Sequence, residues 1–407
     1  MNESENQFSL TRAASSTSAC AKKQILIRSV ASSRSVVALC LLLVAASTNL
    51  ALAQTTSQMF LRIAGPSTSF IEGGSPNSGL LLWSNAVPGL AYRLQTRTDL
   101  GSAGKWSNYR VYHATGVQMS VNMFAPDENL VTAPVPAGAF QMGDILGDGF
   151  ANERTVHTVN LGALQVDRFE VYWALWSEVR TWALSKGYDF DGAGSAVDNL
   201  APVTAISWYD CVKWCNARSE KTGLPPVYYL TSDRTNVYRS GHVDLSSDCV
   251  AWDKAGYRLP TEAEWERLAR GGAEGYRFPW TNVLTIAHTQ ANYWSRTNEA
   301  YDLGPTRGYH PSFQGNPSPV GTFAPNGYGV YDTAGNVWEW CWDWFSQTYY
   351  MASPTDNPKG PATGSARVAR GDSYYNAGFY ARCAYRNFWA PTNRFGDFGL
   401  RCVRTVP

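Results

Sequence analysis

Between Leu61 and Val131 apolar and polar residues alternate with a period of two, in runs such as LLLWSN, AYRLQTRTDL, WSNYRVYHA and VQMSVNMF. Gly, Pro, Asn and Asp punctuate the runs. The pattern predicts short antiparallel strands joined by turns, a small all-β sandwich-like region over 61–131. The stretch TAPVPAG, Thr132 to Gly138, is rich in proline and reads as a linker. Beyond it the period becomes helical. Leu175, Val179 and Trp182 predict an inward stripe on a helix over about 172–184. A second helix opens at Ser207, with Asp210 three residues on as a capping box. It carries Trp208, Cys211, Val212 and Cys215 on one face and stops before Gly223 and Pro225. The third is the clearest: Thr261 caps, Glu264 closes the box, Trp265 and Leu268 face inward, and Gly271 terminates. From there to the C-terminus Gly, Pro, Asn and Tyr dominate, which predicts long loops with a few short strands. Loops of such length are usually functional or held by metals and disulfides.

Composition narrows the class. A chain of 407 residues is long for one core, so two domains are expected. Aromatic residues reach 13% and charged residues only 16%, which favours an irregular aromatic-rich fold over a helical bundle. The formal charge of +1 supplies no bulk field for nucleic acid or an anionic membrane. The five histidines are not paired at helical or finger spacing, which argues against a histidine zinc site. At the N-terminus Lys22, Lys23, Arg28 and Arg34 precede an apolar run from Val36 to Ala46 and the A-x-A pattern Ala51-Leu52-Ala53. The run is short for a bilayer span, so residues 1–53 read as a signal peptide and the protein as secreted or periplasmic; the alternative is an uncleaved anchor. No cysteine follows that pattern, which argues against a lipoprotein. Cys20 and Cys40 fall within the segment, leaving Cys211, Cys215, Cys249, Cys341, Cys383 and Cys402. An even number in an exported chain suggests disulfides, whose connectivity these spacings do not fix.

The densest chemistry lies in NGYGVYDTAGNVWEWCWDW, Asn326 to Trp344. Asp332 and Glu339 flank a glycine-bearing turn, with the Gly335 and Val337 carbonyls between them. Carboxylates and carbonyls are the ligand types of Ca²⁺. The same residues also suit a buried aromatic turn capped by two carboxylates, and the residues alone leave both readings open.

Several stretches in order carry a resemblance. They are PAGAFQMGD, VDRFEVYWALWSEV, PVTAISWYDCVKWCNARSEKTGLPPVYYL, GYRLPTEAEWERLARGG, FPW, PNGYGVYDTAGNVWEWCWDW, NPKGPATGSARVARGDSY and FGLRCVR. Together they are similar to the sulfatase-modifying-factor, or formylglycine-generating-enzyme, family over 133–406. The resemblance implies an α+β, C-type-lectin-like fold with little regular secondary structure and bound calcium. It also implies an oxidase that uses copper(I), held by two thiolates, to turn a sulfatase cysteine into formylglycine. In this chain the positions of those two cysteines fall on Asn376 and Ala381, and Asp372 replaces the second glycine of the family's RGGS-type motif. Amide and methyl groups cannot form a thiolate copper site, so the reading is a calcium-stabilised scaffold for a peptide or glycan, with a sulfatase among the partners considered. The alternative is an active copper- and oxygen-dependent oxidase.

By the same resemblance, one calcium site falls on Asp332, Gly335, Val337 and Glu339. A second opens on Asn292 and Tyr293, where Pro311 takes its aspartate's place and Asp302 is the candidate substitute. Cys215–Cys402 matches a family disulfide. Cys383 matches half of another, for which Cys341 is the candidate partner, and Cys211–Cys249 is the remaining pairing.

Overall fold

The computed structural model describes residues 59–66, 70–75, 80–97, 107–122 and 131–406 except 282, 297 and 306, together with three-residue strands at 9–11, 26–28 and 39–41. The signal-peptide reading lies almost wholly outside the described residues. Of its apolar run, Leu39–Leu41 pairs antiparallel with Met59–Ala64. Contacts divide the chain into two units, with the boundary between Val131 and Thr132.

In the first unit, strands Leu39–Leu41, Met59–Ala64, Ala91–Arg97 and Ser107–His113 form one antiparallel sheet in that order. Phe70–Ser75, Leu80–Ser84 and Met119–Asn122 form another. Period-two alternation does the sorting: Leu61 and Ile63, Leu81 and Trp83, and Tyr92 and Leu94 all turn into one apolar core shared by both sheets.

The second unit opens with β1, Thr132–Val135. The expected linker is therefore structure: β1 pairs with β4, Leu164–Asp167, and Ala133 and Val135 are buried. Pro134, though lacking an N–H, is tolerated because β1 is an edge strand. The sheet continues through β10, Val403–Thr405, to β5, Tyr257–Arg258, so the last strand lies between β4 and β5. β2, Gly138–Met142, and β3, His157–Leu161, form a separate hairpin. The third sheet runs β8 (Asn387–Trp389), β7 (Arg367–Arg370), β6 (Trp338–Trp344), β9 (Phe398–Gly399), with β6 and β9 parallel.

Three α-helices of eight or more residues are present among the described residues. α2, Trp208–Lys221, has the expected capping box between Ser207 and Asp210, and α3, Glu262–Arg270, has one between Thr261 and Glu264 and ends on left-handed Gly271. α1, Trp173–Leu184, is rotated from the expected stripe: Trp176, Val179 and Ala183 are buried, whereas Leu175 and Trp182 pack only at the margin. The displacement follows from the Trp176 ring stacking on Trp214 of α2 at 5.4 Å. Residues 271–337 hold no described helix or named strand.

All seven residues of β6 are buried. Alternation sends Trp338, Trp340 and Trp342 into the large aromatic core with Trp208 and Trp214. Glu339, Cys341 and Asp343 take the other face, towards α3. There Cys341 joins a second cluster with Trp265 and Leu268, and Asp343 accepts the Glu262 N–H at 2.8 Å. No described helix is long and apolar enough to cross a membrane.

Candidate functional site

The turn before β6 is a chain of backbone exceptions. Asp332, Gly335 and Asn336 all have positive φ, at 57°, 79° and 68°. At Gly335 the requirement is steric as well: a Cβ there would lie 2.3 Å from the Asn292 carbonyl oxygen. That carbonyl also accepts the Asn336 N–H at 2.8 Å, so the turn is seated on Asn292. The geometry throws the Asn336 amide inward, where it donates to Glu170 at 2.6 Å.

Glu170, Asp332 and Glu339 thereby share a buried space with one guanidinium, that of Arg401. Glu339 accepts from Arg401 Nη2 at 2.6 Å and from Trp265 Nε1 at 2.7 Å. Asp332 accepts the Gly321 N–H at 2.7 Å. Burial pushes the Glu170 carboxyl well above the usual carboxylate range, and the neighbouring Asp332 and Glu339 add to it; Arg401 and the Asn336 amide only partly offset them. Among the described residues no three carboxyl, thiol or imidazole side chains close into one metal-binding group, so an ion at this turn would draw on Asp332 and Glu339 with backbone carbonyls. That chemistry fits a Ca²⁺-type ion.

The second calcium position is different. The Tyr293 carbonyl is contacted by His288 Nε2 at 3.1 Å, and the Asn292 amide donates to the Asn316 carbonyl at 2.9 Å. Asp302 is spent on its own loop, accepting from the Tyr293 hydroxyl at 2.6 Å, Ser295 Oγ at 2.9 Å and the Gly304 N–H at 3.0 Å. These groups are thus engaged in hydrogen bonds of their own.

Asn376 and Ala381 lie on the loop after β7. The Asn376 amide donates to Ser373 Oγ at 2.9 Å, and Ser373 Oγ in turn donates to Asp397 at 2.8 Å. Ala381 is fully buried. Asn376 is half-buried and bounded by aromatic rings that sequence spacing did not associate with it. Its carbonyl accepts the Trp294 N–H at 2.9 Å, and Trp294, Tyr309, Tyr375 and Tyr374 form a run of ring contacts on one side. On the other, Phe379 and Tyr380 pack with Tyr385, and Phe150 from the distant 143–156 loop meets Phe379 at 5.3 Å. Tyr375 and Phe150 are 61% and 52% exposed, so each group presents aromatic surface to solvent.

Asp372 sits beneath the loop. It is fully buried at φ 74°, and neither carboxyl oxygen meets a well-aligned hydrogen-bond partner. Burial raises its carboxyl well above the usual range, and the charge of Asp397 adds to this; the adjacent Ser373 N–H opposes it.

All six cysteines of the second unit are free, buried thiols in the structure. Cys215 and Cys402 are brought together with their sulfurs 3.6 Å apart, in contact but not bonded. Cys341 and Cys383 share one apolar cluster, and Cys211 and Cys249 share another. Burial lifts the Cys341 thiol well above its usual range and Cys383 to about 11, the reverse of what a reactive thiolate needs. Copper(I) held by two thiolates therefore finds no fitting pair at Asn376 and Ala381.

Comparison with known proteins agrees with the architecture. The model of the sulfatase-modifying factor enzyme 1-like domain matches residues 122–406. The formylglycine-generating enzyme of Streptomyces coelicolor is 36% identical over 297 residues, covering 66% of this chain and 87% of that protein. The bovine (Bos taurus) formylglycine-generating enzyme is 35% identical over 296 residues, covering 66% of this chain and 73% of its own. Among solved structures, Treponema denticola variable protein 1 superposes with a TM-score of 0.52 at 27% identity, over 72% of this chain and 98% of that one. With the fold, the glycine-bearing turn and the family model in agreement over the whole second unit, the chain belongs to the sulfatase-modifying-factor family of formylglycine-generating-enzyme-like proteins.

Proposed function

We propose that this chain is an exported binding scaffold of its family, stabilised by calcium, which holds a peptide or glycan on the aromatic face around Asn376 and does not make formylglycine. The observation that carries the reading is the side-chain chemistry at Asn376 and Ala381. An amide and a buried methyl stand where the resemblance places copper-binding thiolates, and no buried thiol nearby is tuned to replace them. What the loop offers instead is half-exposed Tyr and Trp surface, which combines contact area with polar handles and suits recognition. Calcium would be held by the Asp332 and Glu339 carboxylates with the Gly335 and Val337 carbonyls, neutralising the surplus charge around Glu170.

The test is to incubate the copper-loaded protein in air with a Cys-x-Pro-x-Arg peptide and follow aldehyde formation by mass spectrometry. No turnover is expected. Clear turnover would return the oxidase reading and displace this one. Binding of candidate ligands should fall on Tyr375→Ala, a change at an exposed ring with little cost to the fold.

A further inference from the structure

Two adjoining clefts lie in the second unit and share no residue with the aromatic face around Asn376. The first, about 350 Å³, is lined by the Gly162–Leu164 turn, Trp252, Arg258, Glu264 and Thr405. The second, about 280 Å³, is lined by Trp342, Trp344, Tyr349 and Pro361. The segment Asn357-Pro358-Lys359 forms a wall of both. Each is near the lower end of the size range for a small-molecule site, and together they suit an elongated ligand.

The shared wall is built, not draped. The Asn357 N–H donates to the Asn160 carbonyl at 2.9 Å, and Asn357 Oδ1 accepts the Gly162 N–H at 3.1 Å. Asn160 also donates to Asp356 at 2.9 Å. At the other end Gly360, at φ 76°, approaches Asp343 so closely that a Cβ would lie 2.7 Å from the Asp343 Cβ. Lys359 is thus held from both sides. Its ammonium lies 4.6 Å over the Trp252 ring, and the Arg258 guanidinium lies 5.2 Å from the same ring. Arg258 is committed to Glu264 through two short hydrogen bonds. Lys359 has no carboxylate within ion-pair distance among the described residues. Partial burial lowers its pKa and the Arg258 charge adds to this, while the Glu264 and Asp248 carboxylates oppose it from beyond contact distance.

We propose that this double cleft binds an acidic saccharide, with its carboxylate or sulfate on Lys359 and its sugar rings along the half-buried Trp252 and the Asn357–Lys359 wall. An anion supplies the missing counter-charge to a partly dehydrated ammonium, a stronger bond than the same contact in open water. An aromatic ring beside amide and backbone polar groups matches a sugar's apolar C–H face and hydroxyl edges. The site is separate from the Asn376 face and does not rest on the function proposed for it.

The test is titration calorimetry on the full chain with four probes: a hexuronic-acid tetrasaccharide, a sulfated disaccharide, a neutral tetrasaccharide and an acidic hexapeptide. At least one acidic saccharide should bind about tenfold or more tighter than the neutral one, and whichever does identifies the anion. Lys359→Met should remove that preference, Trp252→Ala should weaken all saccharide binding, and Tyr375→Ala should change neither. As a check independent of folding, bound saccharide should protect Lys359 of the unmodified chain from acylation, read by peptide mass spectrometry. Equal affinity for neutral and acidic sugars, an acidic peptide binding at least as tightly, no saccharide binding, or unprotected Lys359 would each overturn the proposal.

Discussion

Asp372 offers the sharpest test of how this fold is held. It occupies a left-handed backbone position at φ 74°, is fully buried, and directs a carboxyl group into a space without a well-aligned partner. Asp372→Gly removes both burdens. Left-handed geometry costs an L-residue about 1–2 kcal/mol, less for Asp than for most. An unsatisfied buried polar group costs about 1–3 kcal/mol. Glycine's extra freedom in the unfolded chain returns roughly 0.5–1 kcal/mol of this. The net expectation is a stabilisation of about 1–3 kcal/mol, or a rise in Tm of roughly 2–8 °C for a unit of this size.

The pH dependence separates the two contributions. Burial holds the folded-state pKa of Asp372 above its unfolded value, so its folded form favours the proton. Below the unfolded pKa, near about 4, the group is neutral in both states and costs its strain and its unpaired polar atoms, with no pH-dependent part. As pH rises through the folded pKa the native state must either keep a proton that the unfolded chain has lost or bury a charge. The stability advantage of Asp372→Gly therefore grows with pH and then levels off. Asp372→Asn, which removes the ionisation but keeps the backbone geometry, should recover the pH-dependent part alone. Calorimetry between pH 4 and 8 reads both. A variant no more stable than the parent at neutral pH, or an advantage independent of pH, would mean that the carboxylate is paired in the native protein and would refute the reasoning.

Three further expectations follow from the same structure. Chelation should lower Tm, and Asp332→Ala should abolish that sensitivity; an unchanged melting curve on chelation would remove calcium from the account. Arg370 binds Glu262 and Glu266 at 2.8 and 2.7 Å in full burial, and Arg370→Met would leave each with one arginine, Arg386 and Arg270, so the cost in urea unfolding should stay at or below about 3 kcal/mol. Under oxidising conditions Cys215 and Cys402 should cross-link, as non-reducing peptide mapping would show; a mixture of pairings at these residues would count against the 3.6 Å contact as the native arrangement.

Local rules determined a good part of this protein before any tertiary contact was known. The caps of α2 and α3 are written in Ser207, Asp210, Thr261, Glu264 and Gly271, because an orphan N–H or a left-handed terminus selects its residue within one turn. Alternation likewise sorted Leu81, Trp83, Tyr92 and Leu94 inward in the first unit. The order of motifs placed the second unit in its family, and by that resemblance the positions of the copper-binding thiolates fall on Asn376 and Ala381. Long-range packing decided the rest. Local composition made Thr132–Gly138 a linker, yet β4 supplies its hydrogen bonds from thirty residues on and makes it a strand. Trp176 is core only because α2 presents Trp214 to it. Asp332 and Glu339 share their space with Glu170 and Arg401, which no spacing connects. The same holds for Phe150 at the aromatic face and for Lys359 over Trp252. Caps, turns and alternation depend on neighbours within a few residues, so the sequence alone determines them. Charge balance, cavities and exposed surface depend on segments a hundred or more residues apart, and only folding sets those side by side.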